Sequence, residues 1–214
     1  MSKGGKDMSP GAEASTEGSA GEGVSDEALM VRVQSGEMSA LKDLMARYEK
    51  GLYNFLARCT GDRHLAEDLF QDTFLRIVEK REGFDAGRGF RAWIFSIGAN
   101  LARDACRRRK VRLKRDPEAR QPPEPLRPDV AAQRREELQI VEATLEKLPE
   151  DARTMVLLHF HEGLRYRDVA DIVGVPVGTV KSRIHWAVAK LARAWREGAL
   201  SALGGTYSQS RKGR

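Results

Sequence analysis

Thr179, Lys181, Ser182 and His185 place hydrogen-bonding groups at short, regular spacing within an otherwise apolar helical pattern. Side chains of this kind donate to and accept from the edges of bases, and a lysine reaches the acceptors of guanine. Thr179 falls in the first turn of its helix, where a phosphate is favoured by the backbone N–H groups. The elements that must position them are legible in the stretch from Leu164 to Arg183. Val169, Ala170, Ile172 and Val173 give a first helix its buried face, and Ala170 is small enough for a second helix to approach. Gly174 supplies a left-handed turn without a Cβ clash, and Pro176 suits the first turn that follows. Val180, Ile184 and Val188 are predicted to share the inner face of the second helix, leaving Lys181, Ser182, Arg183 and His185 outside. This is the pattern of a helix-turn-helix whose second helix suits the major groove. The plain alternative is a helical hairpin with a solvated basic face.

Charge supports the first reading. The chain of 214 residues carries a formal net charge of +6. Between Arg103 and Arg115 stand Arg103, Arg107, Arg108, Arg109, Lys110, Arg112, Lys114 and Arg115 against the single acid Asp104. The natural partner of such a stripe is nucleic acid, whose phosphates release counterions on contact. An anionic membrane surface would need a continuous apolar face with exposed aromatics, which is missing here. Other chemistries find little support. Cys59 and Cys106 are far apart and show no zinc spacing. His159 and His161 lie two apart, so they diverge on a helix. No metal, no cofactor and no catalytic residue is expected, and a reducing, cytoplasmic compartment fits the cysteine usage. No apolar signal core and no stretch near the ~20 residues of a membrane span is present, so membrane insertion is not expected.

The expected fold is all-α, with two helical domains joined by a proline-rich linker. Residues 1–24 carry almost no large apolar side chains and read as a disordered extension. Residues 25–112 form the first domain, opening on Ser25 as a helix cap followed by Asp26 and Glu27. Helical patterns follow over Asp26–Gln34, Glu37–Cys59, Asp62–Lys80 and Gly89–Lys110. Five of the chain's eight prolines fall between Asp116 and Asp129, and residues 113–132 are taken as a semi-rigid linker. Residues 133–198 form the helix-turn-helix domain, and residues 199–214 a flexible tail.

Two sets of residues resemble the bacterial sigma factors of the extracytoplasmic-function (ECF) type. The first is Ala66-Glu67-Asp68-Leu69-Phe70-Gln71-Asp72-Thr73-Phe74, followed by the run from Phe90 to Asn100. The second is Leu148-Pro149, the run from His161 to Tyr166, and the run from Val175 to Ile184. Their order and spacing match the family's second and fourth domains over roughly residues 25 to 195. A helix-turn-helix alone is shared by many regulators; both domains in this order are far more specific.

The resemblance implies a role for each group. Asp68, Gln71 and Asp72 share one side of a helix, and in the family this helix docks on the clamp of the largest catalytic subunit of core RNA polymerase. The fourth domain is expected to meet the flap of the second-largest subunit. Asn100 stands near a pocket that takes a flipped-out base of the minus-10 element. The loop carrying Phe84, Asp85 and Arg88 is expected to form the other wall, with Arg103, Arg107 and Arg108 on phosphates. Phe90 and Trp93 are spaced as core rather than as melting wedges. Arg165, Thr179, Lys181, Ser182, His185 and Trp186 are expected at the minus-35 element. Trp186 is a departure, because many members carry a DNA-contacting arginine there. The family also implies an anti-sigma factor as a partner.

The expected function is therefore a dissociable specificity subunit that recognises two promoter elements and helps to open DNA. A stand-alone helix-turn-helix repressor or activator is the alternative. It would normally dimerise to meet two half-sites, and it would have no use for the Asp68/Gln71/Asp72 face. A recombinase or nuclease would need a nucleophile in a cleft or converging carboxylates, and neither is evident.

Overall fold

The computed structural model describes residues 24–115 and 141–209, with side chains to residue 197. Every regular element among the described residues is helical. The first domain comprises α1 (Asp26–Gln34), α2 (Ser39–Thr60), α3 (Arg63–Lys80) and α4 (Phe90–Arg115). Two 3₁₀ turns, Arg81–Gly83 and Ala86–Arg88, join α3 to α4. In the second domain residues 141–146 are helical (α5). They precede α6 (Glu150–Val156), a π-helical turn over Leu157–His161, α7 (Tyr166–Val173) and α8 (Val177–Gln209). The fold is all-α, with two helical domains. The expected N-terminal extension up to residue 23 and the linker residues 116–132 lie outside the described residues, as do residues 133–140 of the expected second domain.

Helix α1 starts as its sequence dictates, with the Ser25 hydroxyl accepting the Ala28 N–H at 3.1 Å. It does more than add a helix, because its acids tie down its neighbours. Asp26 accepts the Tyr48 hydroxyl at 2.5 Å and the Arg47 guanidinium at 2.6 Å. Glu27 accepts the Phe90 N–H at 2.9 Å, so α1 supplies the cap of α4. The Gln34 amide donates to the carbonyls of Arg81 and Phe84, which pins the loop before α4.

The core of this domain forms where α2 and α4 cross. Leu44, Tyr48, Leu52, Phe55 and Leu56 of α2 are buried against Phe90, Ile94 and Phe95 of α4. Gly98, Ala102 and Ala105 continue the inner face of α4 with almost no side chain. A Cβ on Gly98 would stand 3.1 Å from a Leu52 methyl. The small stripe therefore sets how closely the two helices approach. This stripe escapes a reading based on large apolar residues.

In the second domain Val169, Ala170 and Ile172 of α7 bury against Val180 and Ile184 of α8. Gly174 takes φ 75°, the expected left-handed closure of α7. One expected core position moves: Val188 is 38% exposed, and Ala187 is buried in its place. At about 100° per residue, a position seven beyond Val180 returns nearer its face than one eight beyond. Helix α8 also runs past residue 198, where a flexible tail is expected to begin, as far as Gln209. The Ala- and Leu-containing stretch 199–203 offers no stop, and the helix continues through Gly204 and Gly205.

The two domains are packed on one another, with α4 against α7 and α2 against α6. Arg153 of α6 donates to the carbonyls of Arg58 and Cys59 at the end of α2, at 3.5 and 3.3 Å. The same guanidinium reaches the carbonyls of Leu145, Glu146 and Leu148. One cation thus satisfies carbonyls at the ends of two helices from different domains.

Candidate nucleic-acid interface

The second helix of the helix-turn-helix presents Lys181, Ser182, Arg183, His185 and Trp186 to solvent. The Ser182 hydroxyl donates to the Thr179 carbonyl at 3.0 Å, and Thr179 is half-buried in the first turn. Lys181 places its ammonium 5.8 Å from the centre of the Tyr166 ring. That ring stacks on His159 at 4.1 Å, and His159 Nδ1 donates to the Leu164 carbonyl at 2.8 Å. His159 thus backs the Tyr166 ring that the Lys181 ammonium approaches. Among the described residues no group of His, Cys, Asp and Glu could hold a metal. Trp186 is 48% exposed and its ring is covered on one side by Lys190, at 5.2 Å. It packs along α8 rather than into the core. Arg165 is exposed and engaged locally: it pairs with Asp168 at 3.1 Å, which raises its pKa, and Asp168 also accepts the Arg165 N–H.

On α4, Asn100 is exposed and its Oδ1 accepts from Arg103 at 3.1 Å. Arg107 and Arg108 are exposed, Arg103 half-buried, and Arg107 pairs with Asp104 at 3.4 Å. Asn100, Arg103 and Arg107 are spaced by three and four residues, so the structure puts them on one side of the helix. Arg109 is drawn back to the Thr60 carbonyl. The preceding loop divides. Asp85 and Arg88 are exposed, and Asp85 caps its own turn by accepting the Gly87 N–H at 2.9 Å. Phe84, expected on the wall of a base pocket, is only 7% exposed. Its ring lies 5.0 Å from Trp93 and 6.0 Å from Phe90, so it is a core residue that anchors the loop. Phe90 is fully buried and Trp93 half-buried, in keeping with their core spacing.

On α3, Asp68, Gln71 and Asp72 form a continuous exposed face. Leu75 extends it and is 61% exposed, an apolar position that the sequence reading passed over. Beside this face a groove between α2 and α3 is lined by Glu49, Lys50, Tyr53, Glu67, Phe70 and Gln71.

Known proteins match both halves. The family model for sigma-70 region 2 matches residues 44–112, and that for sigma-70 region 4 matches residues 138–191. The ECF RNA polymerase sigma-E factor of Haemophilus influenzae is 34% identical over 174 residues, covering 76% of this chain and 91% of that protein. The chain belongs to the ECF family of sigma factors. The ECF RNA polymerase sigma factor SigW of Bacillus subtilis is 29% identical, over 72% of this chain and 88% of its own. Among solved structures, the sigma factor RpoE in complex with the anti-sigma factor NepR from Bartonella quintana superposes with a TM-score of 0.65 at 26% identity, covering 73% of this chain and 96% of its own. CnrH, in complex with the cytosolic domain of CnrY, gives 0.60 at 29% identity, over 78% and 95%. Membership of the ECF family assigns this chain to transcription regulation and DNA binding, as the paired domains of its sequence imply. No helix among the described residues is long and apolar enough to cross a membrane.

Proposed function

We propose that this ECF sigma factor binds core RNA polymerase through α3, reads a minus-10 element with α4 and its preceding loop, and reads a minus-35 element with α8. The observation that carries this is the presence on one chain of two separate basic helices and an acidic, solvent-facing helix. A repressor needs only the helix-turn-helix. Asp68, Gln71, Asp72 and the exposed Leu75 offer a basic partner both charge and an apolar anchor, the mixture that makes interface hot spots. The clamp of the largest polymerase subunit is that partner, and the helix-turn-helix domain meets the flap of the second-largest. Lys181, Ser182 and His185 read base edges, with Thr179, Arg165 and Trp186 at the margins of the same surface. Asn100, with Asp85 and Arg88 opposite, holds an unstacked base while Arg103, Arg107 and Arg108 take phosphates; an Asn side chain supplies both donors and an acceptor for that purpose. The protein performs no covalent chemistry of its own and works in the cytoplasm. An anti-sigma factor is its regulator, by analogy with the complex of RpoE with the anti-sigma factor NepR. The direct test is charge reversal of Asp68 and Asp72 together, read by binding to core polymerase. Affinity should fall by about a hundredfold or more with helicity intact, in line with loss of close interfacial charge pairs; unchanged binding would remove α3 as the docking face.

A further inference from the structure

Trp186 stands on the outer face of α8 with 48% of its surface exposed, where the family resemblance implies an arginine. The inner face of the helix is taken by Val180, Ile184 and Ala187, all buried, so the indole has no core to enter. Thr179 and Ser182 precede it by seven and four residues and share its side of the helix. The hydrogen-bond donors beside the ring are already engaged. The Ser182 hydroxyl donates to the Thr179 carbonyl at 3.0 Å, which leaves it only lone pairs to offer. Arg183, three residues before the tryptophan, pairs with Asp151 of α6 at 3.5 Å. Lys190, one turn beyond, holds its ammonium 5.2 Å from the ring centre. That contact follows from the lean of helical side chains towards the N-terminus. The result is an apolar plate on the reading face, flanked by one cation and by no free donor of its own turn.

We infer that Trp186 is a specificity residue that packs on the 5-methyl group of a thymine in the minus-35 element. This deepens the proposed reading of α8 and rests on it. Of the four bases only thymine displays an apolar group in the major groove, whereas guanine displays two acceptors. An arginine fork meets both of those acceptors; an indole has a single N–H and cannot. With Ser182 and Arg183 engaged, no neighbouring donor makes up the loss, so a guanine set against this patch gives up water without gaining partners. A thymine methyl placed there exchanges water for an aromatic surface, which is favourable. Ser182, one turn away, presents an acceptor, which suits the amino group of adenine or cytosine and not the O6 and N7 of guanine. Lys190, resting against the ring, limits the orientations open to the indole and so presents it ready for contact.

The test removes single methyl groups from DNA. Bacterial core polymerase with the full-length protein selects upstream elements from duplexes randomised over that region, and the selection is repeated with Trp186→Ala, Trp186→Phe and Trp186→Arg. Wild type should select a thymine at one position that Trp186→Ala no longer distinguishes, and Trp186→Phe, a smaller plate, should keep part of the preference. Trp186→Arg should prefer guanine at or beside that position by about tenfold. The selected duplex is then rebuilt with deoxyuridine for each thymine in turn, which deletes the methyl and leaves the hydrogen-bonding groups intact. At the selected position deoxyuridine should weaken wild-type binding about fourfold, the worth of burying one methyl group. The same replacement should leave binding by Trp186→Ala unchanged. A methyl penalty equal in both proteins, or none at any thymine, overturns the inference. Lys181→Ala separates this failure from that of the underlying reading. A selected upstream sequence that is lost with Lys181→Ala and indifferent to Trp186 leaves α8 as the reader and overturns the role of Trp186. Initiation with no selected upstream sequence overturns both.

Discussion

Helices α4 and α8 carry the two basic surfaces proposed to read DNA, and they are held in opposite ways. The reading face of α8 is open: Lys181, Ser182, His185 and Trp186 all face solvent. That of α4 is bounded by the acids of the neighbouring domain, with Arg91 and Lys110 already paired across the interface. Their supports differ as well. Helix α4 is set by a glycine-centred crossing with α2, by a loop anchored on Phe84 and by the Glu27 cap. Helix α8 is set by one tight turn and a stack of His159, Tyr166 and Lys181. The proposed roles differ in the same sense: a surface that reads duplex DNA needs only presentation, whereas one that holds an unstacked base needs a rigid frame.

The largest expected effect separates frame from reader within α4. Phe84→Ala should destabilise the first domain by about 3 kcal/mol, the cost of truncating a buried aromatic. Chemical denaturation checks this, and Asp85→Ala should leave stability nearly unchanged. A Phe84→Ala protein of normal stability with defective promoter opening would return Phe84 to the base pocket. Next comes Lys181→Ala, which should cost about 1–3 kcal/mol on a matched minus-35 sequence. Competition with unrelated duplexes checks it. A uniform loss across all sequences would make Lys181 a phosphate contact and narrow the difference between the two helices.

Asn100→Ala should be milder, lowering open complexes about fivefold while closed-complex binding holds, as for one hydrogen bond to an extruded base. Permanganate footprinting against filter binding checks this, and equal defects in both would argue against the flipped-base role. The smallest effect lies outside both surfaces. Hydrogen bonds from Arg32 and Ser39 hold the Glu37 carboxyl down to about 2. A depressed folded pKa contributes stability above the ordinary carboxylate range that is lost as pH falls from about 4.5 through about 2. Glu37→Gln should therefore flatten the acid limb of the stability profile slightly, its groups being exposed. Thermal melts across that interval check it.

Much of this arrangement is local in origin and so was legible in the chain. Ser25, Gly174 and the spacing of Val169, Ile172, Val180 and Ile184 act within a turn or two, and each sits as its type demands. What escaped depends on partners far away in sequence. Gly98, Ala102 and Ala105 look neutral until Leu52 and Leu56 are placed opposite them. Phe84 looks like a loop aromatic until Trp93 and Phe90 close around it. Val188 gave way to Ala187 because burial followed the helical repeat rather than side-chain size. At the reading surfaces, residue types identified the basic faces of α4 and α8 and the acids of α3. They could not reveal that Arg58, Arg91 and Lys110 meet Glu142, Glu162 and Glu150 across the domains, nor that Leu75 completes the α3 face.

The central claim is that one chain carries a polymerase-docking face and two promoter-reading helices. In vitro transcription from a randomised promoter library, with bacterial core polymerase in the presence and absence of this protein, tests it most directly. Transcripts that arise only with the protein and share two spaced motifs are the predicted result. DNA binding by the protein with no new initiation by core polymerase would contradict it, and would point to a repressor or activator built on the same fold.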